Sequence, residues 1–364
     1  MELSQAAAVG ERLRRNRLTG PRPSTAAQVV EALCGVQAQE LPAARLSLRP
    51  RGAGLTDAGV EAARVEERSF VRTWAMRGTL HLVASDDLFW LRRLLSPGSI
   101  RANERRSIQL GLDESTYRRA MGLIDRALAG GEALGRAALK EALARGGVDS
   151  GGQRMVYLLA RATAEGLICE GPFEGRYATY VRVQDWLGRT PPRHYDRAED
   201  LNRLVVRFLD AYGPAAPEDL ATWSGLPVSE CRTAFRDAGL TAVSIEGRNL
   251  WVTGEPGGPE TSGVRLLPAF DTFLLGYRDR SLHLDPAYAR RVNRGGGIVK
   301  PVLLVDGRAA GTWRLVRKPK GAAVSVQPFW KPAKKAEPQI EREAEDLARF
   351  LGVPVSLTVE PARA

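Results

Sequence analysis

The sequence predicts an α+β fold. Three tandem helix–turn–helix units, each closed by a two-stranded ribbon in the winged-helix manner, precede a β-barrel-like C-terminal module. Three observations predict it. One order of elements recurs along the first 260 residues. A stretch rich in Gly and Pro, Gly254 to Gly263, then punctuates the chain. Beyond it apolar residues alternate or run as they do in strands, with a single helical pattern near the end. The expected units are 1–130, 131–196, 197–260 and 261–364.

In the first unit, Thr25 to Leu33 has helical apolar spacing and Leu41 to Leu48 reads as a second helix. Arg77 to Val83 reads as a strand. Ser85-Asp86-Asp87 supplies capping and first-turn acids for a helix through Leu95. The second unit has helices at Arg136 to Ala144 and Gln153 to Glu165, separated by Gly146-Gly147. Leu167 to Glu170 and Tyr177 to Val181 then alternate as a hairpin, and Arg154 and Arg161 lie on the second helix. In the third unit, helices at Leu201 to Tyr212, Pro217 to Trp223 and Val228 to Ala238 precede a hairpin of Val243 to Ile245 and Leu250 to Val252. The last module has strands at Val264 to Leu267, Ile298 to Val305, Gly311 to Leu315 and Ala322 to Val326. A helix from about Glu337 to Leu351 and a strand at Val355 to Val359 end it, as a small barrel or curled sheet.

Composition narrows the function classes. The 364 residues carry a net charge of +11 with a pI near 9.9, which favours an anionic partner such as nucleic acid. Arginine abundance beside abundant Ala and Gly follows base composition and argues little. Clustering argues more: six of the seven lysines (Lys300, Lys318, Lys320, Lys331, Lys334 and Lys335) lie in one C-terminal stretch. No apolar run reaches the length of a membrane span, and Met1 to Gly10 lacks a basic-then-apolar signal pattern. A cytoplasmic protein without membrane contact is expected. Cys34, Cys169 and Cys231 form no CxxC pair and the three histidines have no metal-ligand spacing, so no metal, cofactor or disulfide is expected. Phosphate loops, nucleophile elbows and dinucleotide turns are absent as well.

One short run carries the candidate chemistry: Cys34-Gly35-Val36-Gln37-Ala38-Gln39-Glu40. On a helix, residues i and i+2 point about 200° apart, so Gln37 and Gln39 converge only on extended or turning backbone. Gly35 suits a helix stop and Pro42 the first turn of the next helix, which places both glutamines in the joint. Amides there also serve as ordinary turn braces. As chemistry, a carboxamide does not titrate near neutrality but orients water through its carbonyl oxygen. That suits hydrolysis of a bond whose leaving group needs no acid.

Gly35-Val36-Gln37-Ala38-Gln39, Arg72 to Leu82, Tyr212-Gly213-Pro214-Ala215, Leu267 to Tyr277, Val305-Asp306-Gly307-Arg308 and Gly311-Thr312-Trp313 together carry a resemblance over nearly the whole length. The chain resembles the AlkZ/YcaQ family of winged-helix DNA glycosylases, and within it the branch that confers azinomycin self-resistance. The resemblance implies three winged helices in a C-shaped basic channel and a catalytic Gln-x-Gln or Gln-x-Asp motif, here Gln37 and Gln39. It implies a monofunctional glycosylase acting on N7-alkylated purines in double-stranded DNA and unhooking azinomycin-type interstrand cross-links. The neutral second position implies a narrower substrate range than the aspartate branch has.

Charge patterning adds candidate DNA contacts. Arg290, Arg291 and Arg294 precede Gly295-Gly296-Gly297, Lys300 follows, and Arg317-Lys318-Pro319-Lys320-Gly321 reads as a hairpin turn. Each loop can equally be a solvated charged loop. His81, Trp74 and Trp313 read as core residues, and Asp271, Asp279 and Asp285 as loop and cap acids. The rival reading is a non-enzymatic winged-helix regulator, which would need no converging glutamines and is expected to dimerise. No heptad seam is visible, so a monomer is expected.

Overall fold

The computed structural model describes every residue except 193, 258–262, 294, 296, 332 and 363–364, so half of the expected linker and Arg294 lie outside the described residues. The fold is α+β, and its contacts divide into two units. One comprises Met1–Glu61, Asn202–Trp223 and Pro227–Ala364; the other comprises Ala62–Leu201 with Ser224–Leu226. Among the described residues no helix is long and apolar enough to cross a membrane.

The unit built around residues 62–201 holds five antiparallel strands in the spatial order Leu80–Ala84, Phe70–Trp74, Ile168–Glu174, Tyr177–Arg182 and Leu134–Gly135. Phe70–Trp74 is a strand that sequence reading missed, and Arg77 belongs instead to a tight turn, Met76–Gly78, with φ +56°. The helix expected to end near Leu95 runs from Leu88 to Gln109, straight through Pro97. Proline fixes φ near the helical value, so its cost there is one lost backbone bond and local crowding, and buried Leu88 to Ser96 anchor the first half. Helices Arg136–Arg145 and Arg154–Ala164 stand where the apolar spacing puts them. Their faces (Leu139, Leu143, Leu158, Leu159, Ala162) form a core with Tyr117, Ile124 and Tyr180. Arg154 donates to the Leu110 carbonyl and pairs with Asp149, while Arg161 pairs with Glu114 and Glu165.

In the other unit, a five-stranded sheet has the order Val355–Val359, Gly321–Pro328, Arg308–Lys318, Val302–Val305, Val264–Leu267. The first pair is parallel and the rest antiparallel. The expected β-barrel-like module is therefore an open sheet. The physical reason is the amphipathic helix Glu337–Leu351, which buries Ile340, Ala344, Leu347 and Phe350 and lies against both edge strands. A helix that covers the face and reaches both edges removes the need for the strands to close. The core of this unit joins Leu13 of the first helix, Val243 and Val252 of a hairpin, and Phe273, Val302, Leu304 and Phe329.

At the centre of the same unit stands a fully buried ion pair. Arg51 donates from Nη1 and Nη2 to the two oxygens of Asp271 at 2.9 and 2.7 Å, both residues having no solvent exposure. Its remaining donors reach the Asn16 carbonyl, Asn16 Oδ1 and the Ser47 carbonyl, so all five N–H groups are used. Asp271 also accepts from Ser47 Oγ at 2.7 Å and caps the short helix Thr272–Leu275 through the Phe273 N–H. A buried pair is worth little against an apolar replacement, yet removing one partner strands the other charge. Arg51→Met should lower the unfolding free energy by about 3–5 kcal/mol, and Arg51→Met/Asp271→Leu should recover more than half of that loss. Urea denaturation of the two variants measures both; a double variant no better than the single one overturns the account.

His81 is buried in the strand Leu80–Ala84, its Nδ1 2.9 Å from the Thr79 carbonyl, and burial holds its pKa down at about 3. It is a core residue, as the sequence suggested. The unfolded chain takes up a proton near pH 6.5 while the folded one does not. Stability contributed by neutral His81 is thus whole above pH 6.5 and is lost as pH falls toward 3, at up to about 1.4 kcal/mol per pH unit. Replacing His81 with Gln should flatten the measured stability profile across that window.

Candidate active site

The helix Ala26–Ala32 ends in two crossed backbone bonds: the Gly35 N–H donates to the Val30 carbonyl at 3.2 Å and the Cys34 N–H to Glu31 at 2.9 Å. This is a Schellman stop, and its left-handed residue is Cys34 (φ +53°), with Gly35 following at φ +114°. Sequence reading placed the stop on Gly35; the bend is shared between both residues. Two successive positive φ values turn the chain out of the helix and leave Val36–Gln37 extended. Glu40 then stands at the N-terminal boundary of the helix Leu41–Leu48, its carbonyl accepting from the Ala44 N–H and its side chain making no capping bond, with Pro42 in the first turn as expected.

Extended backbone alternates its side chains. Val36 and Ala38 have no solvent exposure, Gln37 is half-buried and Gln39 is exposed. Val36 and Ala38 are thus taken up by the core, while Gln37 and Gln39, the second of them in the bend that follows the strand, keep solvent exposure, a burial pattern that alternates along the joint. The joint is not helical, which is the condition that convergence of residues i and i+2 requires.

The joint is braced from behind. Tyr212 Oη donates to the Leu33 carbonyl at 3.1 Å, and Arg207 Nη2 donates to the Glu31 carbonyl at 2.6 Å, giving a partner to the first and a second partner to the carbonyl that already accepts from Cys34. Burial pushes the Tyr212 hydroxyl pKa up, so it remains a donor. Tyr277 Oη donates in turn to the Tyr212 carbonyl at 2.9 Å, and the Arg12 guanidinium lies 3.8 Å over the Tyr277 ring. Arg12 also donates to Pro214 and contacts His283 Nε2 at 2.9 Å. Tyr212 and Tyr277 stood in the sequence only as parts of longer motifs, and nothing local in the sequence marks them as supports.

One residue beyond Gln39, Glu40 forms part of the lining of a groove of about 760 Å³ between the start of Leu41–Leu48 and the open sheet. Lys300, Arg314 and Arg317 line it, together with Trp313, Gln327 and Glu360. Of the residues singled out by charge, the structure thus brings Lys300 and Arg317 to one groove. Lys318 and Lys320 stand exposed at the tip of the hairpin joining Arg308–Lys318 to Gly321–Pro328, as the sequence suggested. Arg317 contacts Asp57 at 3.3 Å. Arg314 was missed, although its place two residues after the groove-lining Thr312 is the period-2 signal that could have found it.

Arg290 and Arg291 belong to a different feature, the short helix Ala289–Val292, where Arg290 is exposed and Arg291 lies 4.8 Å from the Phe329 ring centroid. Asp285 caps the turn Pro286–Tyr288 and Asp279 accepts from the Ser281 N–H, which are the cap and loop roles expected of them. Trp313 is a core residue whose Nε1 donates to Leu267 at 2.7 Å, whereas Trp74 is half-buried. All three cysteines are buried. Among the described residues, no three of His, Cys, Asp or Glu stand together as metal ligands would.

Chemically, the joint offers two neutral amides on a rigid support, each able to donate and accept, beside a groove with three cations. Carboxamides of this kind can orient water through their carbonyl oxygens and do not titrate near neutrality.

The whole chain can be set beside known proteins. A family model described as "DNA glycosylase AlkZ-like" matches residues 30–350. The interstrand DNA cross-link repair glycosylase of Streptomyces sahachiroi is 30% identical over 367 residues, covering 94% of this chain and 95% of that protein. The solved structure of Streptomyces sahachiroi DNA glycosylase AlkZ matches with a TM-score of 0.84 at 27% identity, covering 99% of this chain and all of that one. The chain belongs to the AlkZ-like family of DNA glycosylases.

Proposed function

We propose that this chain is a monofunctional glycosylase that hydrolyses the N-glycosidic bond of N7-alkylated purines in double-stranded DNA, and that it unhooks azinomycin-type interstrand cross-links. The observation that carries the reading is the joint itself: a non-helical break between two helices in which Ala38 is buried while Gln37 and Gln39 on either side of it keep exposure, and both amides are taken to face one target. The cross-link activity in the name of the Streptomyces sahachiroi relative supports the substrate class.

The chemistry follows from the groups present. Alkylation at N7 makes the purine cationic, so the C1′–N9 bond breaks with its electron pair leaving to the base, which departs neutral. C1′ is left with oxocarbenium character. A water held by the Gln37 and Gln39 amide oxygens bonds to C1′ and then gives its proton to solvent, leaving an abasic site. The amide dipoles face the developing cation and stabilise it without changing charge. An unmodified purine is a poorer leaving group and gains nothing from this site, so the lesion's own charge sets the specificity.

In the proposed architecture the units 1–130, 131–196 and 197–260 act as three winged helices around a C-shaped basic channel, with 261–364 supplying the sheet. The protein works as a monomer on nucleoid DNA. The hairpin carrying Arg317, Lys318 and Lys320 enters a DNA groove, Lys300 holds a phosphate beside it, and Arg290, Arg291 and Arg294 reach the backbone elsewhere. A bulky cross-link cannot be rotated into a closed pocket, so the open groove beside Gln39 suits attack without full extrusion.

Gln37→Ala and Gln39→Ala should each cut excision of N7-methylguanine by at least about 10²-fold, the scale set by a misplaced nucleophile, with duplex affinity largely retained. Heat-revealed abasic sites in N7-methylated DNA measure this. Near-full excision by both variants would remove the glutamines from the mechanism, and no excision by the unaltered protein would favour the regulator reading. Separately, Arg317→Ala/Lys318→Ala/Lys320→Ala should lower the slope of log affinity against log salt by about 2–3, at roughly 0.9 per lost phosphate contact. An unchanged slope would take the hairpin off the DNA.

A further inference from the structure

Three lysines of the C-terminal cluster, Lys331, Lys334 and Lys335, have no part in the reading above, yet all are exposed and follow in the chain on Phe329 and Trp330 of an unusual aromatic group. Phe329 is 3% exposed, and its backbone N–H donates to the Ala310 carbonyl at 2.8 Å, which ties it to the sheet. Tyr288 stacks on it with centroids 4.6 Å apart and planes within 9°. Trp330 follows at 42% exposure, its ring 5.5 Å from Tyr288 and 6.2 Å from Phe329. The Arg291 guanidinium lies against Phe329 and Tyr288, 4.8 and 5.9 Å from their centroids. Lys331 follows the indole directly in the chain, Lys334 and Lys335 open the next turn, Lys334–Ala336, and Arg290 precedes Arg291 on the helix Ala289–Val292; all four are exposed, as are the acids Asp285, which caps a turn, and Glu337.

We propose that Trp330, set beside the Tyr288–Phe329 stack, with exposed Arg290, Lys331, Lys334 and Lys335 on the chain segments that carry this aromatic group, is a platform on which an unpaired nucleobase of the DNA stacks. The ring faces of paired bases are covered by their neighbours in the duplex; only an unpaired or extruded base offers a free face. An exposed indole held in one orientation by a buried ring presents such a face with little ordering left to lose, and the cations follow the attached phosphates. Stacking with a cationic rim is the common chemistry of single-strand recognition. Removing a damaged base leaves its former partner unpaired, so the proposed reaction itself generates the ligand.

The platform rests on the reading that the chain acts on DNA, and the test separates the two. Fluorescence anisotropy would compare a paired duplex, the same duplex with a central single-stranded gap, and a single strand. Trp330→Ala should weaken gapped and single-stranded binding by about tenfold while sparing the paired duplex, and Trp330→Phe should keep most of the affinity. Lys331→Ala/Lys334→Ala/Lys335→Ala should reduce the single-strand salt slope by about 2. If Trp330→Ala binds gapped DNA as tightly as the unaltered protein, or loses gapped and paired DNA equally, there is no platform. Absent excision with an intact gap preference would sink the glycosylase reading and leave the platform standing.

Discussion

The Arg51–Asp271 ion pair is the constraint on which the glutamine joint depends. It ties the end of the first helix, through Asn16, and the helix Leu41–Leu48, through Ser47, to the loop that opens into Thr272–Leu275. Leu41–Leu48 begins two residues after Gln39, so whatever fixes that helix fixes one end of the joint. The other end is fixed by the Schellman stop and its two donors, Tyr212 and Arg207. A short joint between two helices, held at both ends, has few ways to move its side chains relative to each other. Burying two charges costs several kcal/mol each unless every remaining donor and acceptor is matched, and here all five guanidinium donors are.

That investment makes sense beside neutral amides. A catalytic carboxylate or histidine can compensate for loose placement with charge, since its pull on a developing cation is long-ranged. An amide dipole falls off faster and never titrates, so its value lies in where it points. Polar resources accordingly sit behind the glutamines: the Tyr212–Leu33 and Tyr277–Tyr212 bonds, Arg12 over Tyr277, and the buried ion pair. Under the proposed reaction a neutral site leaves the electrostatic preference to the lesion, which would bring its own positive charge, and leaves the cations of the groove to the phosphates.

Much of this was legible locally. Gly35 and Pro42 announce the break between two helices, and the QxQ spacing then demands extended backbone; the structure supplies it, with Cys34 taking the left-handed position. Arg317 to Gly321 reads as a hairpin turn because strands of matching pattern flank it; the hairpin is there, but pairing continues through Lys318 and Gly321, and Pro319-Lys320 alone make the turn. Leu88–Gln109 was cut short because Pro97 reads as a stop when burial on both sides is invisible. The open sheet was read as a barrel because strand patterns carry no record of closure; the helix that caps both edges decides it. Asp271 shows the limit most sharply. Its capping of Phe273 is a local habit of Asp, but Arg51 lies 220 positions away, and no spacing rule connects them.

The same distance argument explains why the unit that carries the joint is assembled from separated stretches of chain, Met1–Glu61, Asn202–Trp223 and Pro227–Ala364. The joint is in the first stretch, its Tyr212 and Arg207 braces are in the second, and Asp271, Tyr277 and the groove cations are in the third. Each stretch alone leaves Gln37 and Gln39 as two amides on a short unsupported link, which water would solvate in many orientations. Only the union of all three gives them one. Any catalytic value of the motif is therefore a property of tertiary structure, and QxQ between two helices elsewhere, without a matching brace on both helix ends, should be read as a turn.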